Sequence, residues 1–182
     1  AGSLLNYLKY TQRRSLPHVK NIKILNDSQF IQMDANTRRA LELVENSKGQ
    51  ASDTLFDVMN KTETAMGSRK LRRWLTQPTR NQKELAMRLD ALTELANGSR
   101  YEPILASFKF VGDIERIVAR VALETARPRD LLQIRHTLEM LPQLVDHLKL
   151  SKTRKIVTIA ASCSPIPALS SLLKESIVEN PP

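Results

Sequence analysis

Leu131, Ile134, Leu138, Leu141, Val145 and Leu148 recur at alternating spacings of three and four. That period puts all of them on one stripe of a single α-helix, and a stripe so long has to be covered by other helices. Packing within the chain is the ordinary cover, and self-association is the lesser one. Pro128 suits the first helical position, where its missing N–H costs nothing. Pro142 falls inside the run, and the lost hydrogen bond predicts a kink or break there.

The helical period recurs along the chain. Ile114, Ile117, Val118 and Val121 form one buried stripe, and Leu85, Leu89, Leu92 and Ala96 another. Asn81 caps the latter helix, with Glu84 reaching back as a variant capping box. Leu4, Leu5 and Leu8 start a short helix that ends before Pro17, and a last helix runs from Pro167 to Val178. Only Ile22 to Met33 departs from this pattern. Its apolar–polar alternation around Asn26-Asp27-Ser28 predicts a small β-hairpin over 22–33.

The expected fold is mainly α: a multi-helix bundle, with that hairpin near the N-terminus and helices from 35 onward. Ser47-Lys48-Gly49-Gln50, Asn97-Gly98-Ser99 and Ser162 to Pro167 are soft joints too short to separate domains, so residues 1–182 read as one domain. The abrupt end at Glu179-Asn180-Pro181-Pro182 points to a piece of something larger.

A chain of 182 residues buries roughly 70% of its unfolded surface, so a core needs neither disulfide nor metal. Cys163, the lone cysteine, cannot bridge within the chain, and its role is not readable from its neighbours. No apolar run approaches the ~20 residues of a bilayer span. The N-terminus lacks the order of a secretory signal. The expectation is a soluble, cytoplasmic protein without membrane contact. With 28 Lys+Arg against 19 Asp+Glu the net charge is +9, which attracts polyanions. Aromatics at 4% argue against a base-stacking platform.

Catalytic patterns are absent from the sequence. Gly2, Gly49, Gly67, Gly98 and Gly112 fit no phosphate-binding or dinucleotide-binding loop. His18, His136 and His147 make no i,i+4 metal pair, and Cys163 has no histidine nearby in sequence. Asp113 and Glu115 are paired carboxylates, but two-residue spacing on a helix sends them to different faces. The chain reads as no enzyme, with no catalytic, cofactor or metal residues.

Three stretches carry more than periodicity. In Met33-Asp34-Ala35-Asn36-Thr37-Arg38-Arg39-Ala40-Leu41-Glu42, Asp34 is a natural N-cap and Arg38 can pair with Glu42. In Thr62 to Leu75, Thr64 can cap, and Gly67 packs or caps. Leu71, Trp74 and Leu75 form an apolar stripe that places Trp74 in the core. Arg69, Lys70, Arg72 and Arg73 are read as partners of acids such as Asp113 and Glu115, ahead of phosphate contacts. The third stretch is Val111-Gly112-Asp113-Ile114-Glu115-Arg116, followed by Ala126-Arg127-Pro128-Arg129-Asp130-Leu131. Lys149, Lys152, Arg154 and Lys155 form a second basic cluster, a solvated face first and a DNA-facing candidate second.

Taken together and in order, these stretches resemble the core domain of MutS mismatch-repair proteins, the bacterial branch most closely. That family shows Met-Asp-x-x-Thr-x-Arg-Asn-Leu-Glu, then Thr-x-Thr-x-Met-Gly-x-Arg-x-Leu-x-x-Trp-Leu, then Asp-x-Glu-Arg and Arg-Pro-x-Asp-Leu. The motif residues carried over are Asp34, Thr37, Arg38, Thr64, Gly67, Arg69, Trp74, Asp113, Glu115, Arg116, Pro128 and Asp130. Ala40 stands where the family usually has Asn. The resemblance implies a non-catalytic core/lever segment ending before the clamp insertion. It would link mismatched-DNA binding to the ATPase domain of an intact dimeric clamp. ATP and Mg, mismatched duplex DNA and a MutL-like partner would belong to that parent. The segment itself would bind DNA weakly and nonspecifically, with a homodimer as a further expectation. The alternative reading is an independent basic helical adaptor that binds nucleic acid nonspecifically.

Overall fold

The structure, a computed structural model, describes residues 2–12, 21 and 27–179. Among these residues the chain forms α1 (Gly2–Gln12), α2 (Ala35–Ala40), α3 (Leu55–Met59), α4 (Ala65–Thr76) and α5 (Gln82–Ala96). These are followed by α6 (Tyr101–Phe108), α7 (Ile114–Ala122), α8 (Pro128–Lys149), α9 (Arg154–Ser162) and α10 (Pro167–Ser176).

Helix α8 organises the rest, packing against α6, α7, α9 and α10, while α5 lies on α9 and α3 on α4. Its seam behaves as its spacing requires: Leu131, Ile134, Leu138 and Leu141 are half-buried, and Val145 and Leu148 are buried. Pro128 is its first residue, and the helix continues through Pro142 without a break. Half-buried Leu138 and Leu141 precede that turn, and buried Leu144 and Val145 follow it.

The core gathers around the C-terminal half of α8. Ala91 of α5, Ile104 of α6, Leu144 and Leu148 of α8, and Ile156 and Ala160 of α9 form one cluster, flanked by Leu95 and Phe108. The small side chains of Ala91 and Ala160 suit a close approach of the helices that carry them. Ile117 of α7 is fully buried.

N-cap side-chain oxygens start five of these ten helices. Asp34, Thr54, Thr64, Asn81 and Asp113 each accept a backbone N–H three residues ahead, at the first turns of α2, α3, α4, α5 and α7. Gly98, at φ 64°, turns the chain between α5 and α6, a left-handed conformation that glycine adopts without strain.

Three sequence expectations change. The hairpin over 22–33 is not supported: part of it lies outside the described residues, and the remainder contains no strand. Asp27–Gln29 is a 3-10 turn, and Phe30 makes an isolated antiparallel bridge to Thr79. The backbone donors and acceptors there are satisfied by the segment after α4, through Ile31 N–H to the Pro78 carbonyl and Arg80 N–H to the Gln29 carbonyl. On α5 the stripe is turned outward, leaving Leu89 and Leu92 exposed, because Ala91 and Leu95 face the core while Glu84 and Glu94 face α9. On α7 only Ile117 is buried, and Val118 and Val121 are exposed.

Several large apolar side chains lie at the surface, with Leu89, Leu92, Val58 and Leu150 all more than half exposed. No single helix among the described residues is long and apolar enough to cross a membrane. The α9–α10 pair passes that test only jointly, is bent by 52°, and buries Ile156, Ala160 and Leu173 within the protein.

Because the core is small, each fully enclosed side chain weighs heavily. Ile117→Ala is expected to lower unfolding free energy by about 2–4 kcal/mol in urea titration. Val118→Ala, on the exposed flank of the same helix, is expected to change it by less than about 0.5 kcal/mol.

Candidate functional site

Long-range polar contacts join α4 to α7, α7 to α8 and α5 to α9. Thr64 sets the first joint by accepting the Gly67 N–H at 3.0 Å, which starts α4. A side chain at Gly67 would place its Cβ 3.0 Å from the same Thr64 oxygen and 3.4 Å from the Thr62 Cβ. The glycine is therefore a close-approach residue within the cap.

From the next turn Arg69 reaches α7. Its guanidinium donates to both Asp113 oxygens at 2.8 and 2.7 Å and to Glu115 at 2.6 Å. Both carboxylates face one arginine because Asp113 is the N-cap of α7 and lies outside the helical spiral, so the i,i+2 argument does not govern it. Asp113 also accepts the Arg116 N–H at 3.4 Å, with the Arg116 Nε 3.5 Å from its other oxygen. The Arg69 hydrogen bonds hold the Asp113 carboxyl below its ordinary pKa, and the two acids push the arginine further above its own. The Asp113 arm is the stronger one, since its side chain is 19% exposed against 69% for Glu115, where solvent screens the pair.

Residue 112 passes the joint on to α8. The Gly112 N–H donates to Thr137 Oγ1 at 3.0 Å, and a Cβ there would lie 3.1 Å from the Gln133 side chain. Arg120 of α7 meets Asp130 at 2.6 Å, and Asp130 also accepts the Arg127 N–H at 3.0 Å. The buried Arg135 of α8 donates to Glu139 at 3.1 Å and to the Ile177 carbonyl at 3.0 Å, which ties down the end of α10.

Glutamates of α5 make the second joint, to α9. Glu94 accepts from Ser151 Oγ at 2.7 Å, Lys152 N–H at 2.8 Å and Thr153 N–H at 2.9 Å, with Arg100 at 3.2 Å. Thr153, the N-cap of α9, makes no side-chain cap of its own, so a carboxylate from another helix supplies it. These donors, Ser151 foremost, bring the Glu94 pKa down to about 2. Glu84 receives Lys155 at 2.7 Å and Arg88 at 2.9 Å and is likewise lowered, Lys155 being the larger cause. Arg88 in turn lies 4.1 Å from the centre of the Trp74 ring. Trp74 is 39% exposed, so its ring is a platform under a guanidinium and not core.

The remaining motif residues sit apart from these joints. Asp34 accepts the Thr37 N–H at 2.6 Å, which lowers its pKa. The anticipated Arg38–Glu42 pair does not form: Glu42 has φ 46°, which takes it off the helix, and its carboxylate accepts the Ser47 N–H at 2.8 Å. In the basic cluster Lys149 meets Asp146 at 3.2 Å and Lys155 is held by Glu84, while Lys152 and Arg154 are exposed.

Sequence reasoning missed Glu84 and Glu94 as cross-helix ligands, Gly112 as a close-approach residue, and Arg135 as a buried anchor. A charged residue within one turn of the α8 seam was the one available signal for Arg135; the rest depend on tertiary neighbours. Among the described residues no group of three or more His, Cys, Asp or Glu side chains is placed to hold a metal.

Gly67→Val is expected to lower the melting temperature by several degrees, because the new side chain displaces the Thr64 cap. An unchanged melting curve would show the close approach to be irrelevant. Glu94 contributes stability above its ordinary pKa and loses that contribution as pH falls from about 5 toward 2. Thermal melts across that range are expected to slope less for Glu94→Gln than for the unmodified chain.

Residues 36–182 match the family model described as MutS domain III. That match covers most of the chain, including the Arg69, Asp113, Glu115 and Glu94 joints. The chain belongs to the MutS domain III family.

Proposed function

We propose that this chain is the non-catalytic core of a DNA mismatch-repair clamp, a lever that carries motion between the DNA-gripping and ATP-hydrolysing parts of a longer MutS-type protein. ATP and Mg would act in the ATPase part. Mismatched duplex DNA and a MutL-type partner would be ligands of the whole dimeric assembly, in the cytoplasm.

The observation that carries this reading is the set of polar braces. Arg69 reaches Asp113 and Glu115 across 44 and 46 residues, Lys155 reaches Glu84 across 71, and Arg135 reaches the Ile177 carbonyl across 42. Directional contacts of this kind hold helices at fixed positions, where an apolar interface alone would let them slide. Fixed positions are what a transmitting element requires.

In the full-length protein, Arg69→Ala is expected to leave basal ATP hydrolysis in place and to cut its stimulation by mismatched duplex at least about fivefold, with Arg69→Lys intermediate. Full stimulation in an equally folded Arg69→Ala protein would count against the relay.

A second reading, an autonomous nucleic-acid adaptor, draws on Lys152 and Arg154, two exposed cations beside the start of α9. For the isolated chain we expect weak duplex binding that falls with salt, at a log–log slope of about −2 for two phosphate contacts. Tight, mismatch-selective binding at physiological salt would favour neither a passive core nor a simple adaptor.

A further inference from the structure

The arginines of the joints are matched to acids, but several outside the joints are not, and three of these share one opening. Arg38 and Arg39 of α2 and Arg72 of α4 converge on one open cleft of about 290 Å³, whose only acid is Glu45. Among the described residues none of the three has an ion pair within 4 Å, although Arg38 acts electrostatically on Asp34, and what sets them apart from other unpaired arginines is that they line one opening together. Three like charges around one opening repel one another and favour an anionic occupant.

The surroundings specify what kind of anion. Val44 lines the cleft, and Arg72 lies 5.7 Å from the centre of the Phe56 ring. The Leu55 and Phe56 N–H groups donate to the Glu42 and Leu43 carbonyls, so α3 is bound directly to the chain that forms the cleft wall. That same block leaves Leu41, Leu55, Val58 and Met59 exposed at 57%, 43%, 70% and 49%. A sugar–phosphate backbone gains nothing from covering leucine, valine and methionine. A polypeptide with both acidic and apolar side chains does. Arginine with exposed apolar residues, and no lysine in the cleft lining, is also the composition of a protein-binding surface. The start of α2 is already capped by the Asp34 carboxylate, so it offers a phosphate no free cradle of N–H groups.

We propose that the block formed by 35–45, 55–59 and 72–76 docks an acidic, amphipathic polypeptide segment. Carboxylates of that segment enter the Arg38–Arg39–Arg72 cleft while its apolar side chains cover Leu41, Leu55 and their neighbours. The proposal does not depend on the relay reading and stands or fails without it.

The test uses the isotope-labelled chain, a fluorescent amphipathic peptide of glutamate and leucine, and a fluorescent DNA duplex. Peptide addition is expected to shift the backbone amide signals of 38–45, 55–59 and 72–76. Arg38→Ala combined with Arg72→Ala is expected to weaken peptide binding by about tenfold or more without changing the melting curve. Arg38→Lys with Arg72→Lys, which keeps the charge but not the planar fork, is expected to fall between. Three results would overturn the proposal: shifts on another face, equal peptide affinity in the double alanine variant, or stronger occupation of this block by the duplex than by the peptide.

Discussion

A guanidinium held by two carboxylates far away in sequence is the contact on which the placement of α4 and α7 depends. Arg69, Asp113 and Glu115 meet at distances of 2.6 to 2.8 Å. Asp113 is the enclosed member of the three, and desolvating its carboxylate is costly unless its partners are present. Loss of the arginine would leave a mostly buried, α7-capping carboxylate without its main counter-charge. The triad thus selects one arrangement of the two helices more strongly than it stabilises the chain overall.

The same logic extends along the molecule because the apolar core is thin. One cluster beneath the C-terminal half of α8 holds α5, α6 and α9 together, and its members are mostly small or aliphatic. Elsewhere, orientation is set by capping and bridging groups: Gly112 on Thr137, Asp130 on Arg120, Arg135 on the Ile177 carbonyl and Glu94 on the start of α9. Each is a short, directional bond with one favourable geometry. A protein built this way keeps its helices in register while leaving much apolar surface uncovered.

What was legible in the sequence followed from local rules. The seam of α8, the caps at Asp34, Thr64 and Asn81 and the start of α8 at Pro128 each depend on residues within a few positions of one another, and each is found. Of the four basic residues Arg69, Lys70, Arg72 and Arg73 read against Asp113 and Glu115, Arg69 meets both acids, whereas Lys70 and Arg72 lie over the Trp74 and Phe56 rings. The failures have a common cause. The outward stripe of α5, the exposed Trp74, the lost Arg38–Glu42 pair and the bridge from Phe30 to Thr79 were all decided by partners distant in sequence or by one residue with positive φ. Periodicity shows that a helix has an apolar face. It does not show which face its neighbour takes when a polar group such as Glu94 offers a stronger attachment.

Pro142 gives α8 an uneven stiffness. Its ring removes the donor that the Leu138 carbonyl would otherwise receive, so the rod is most compliant at that turn. The residues before it engage α7 and α10 through Asp130 and Arg135, and those after it engage α5, α6 and α9 through Leu144 and Leu148. The soft turn therefore falls between two separately anchored groups of helices. That turn is where the two groups are joined through one backbone hydrogen bond fewer.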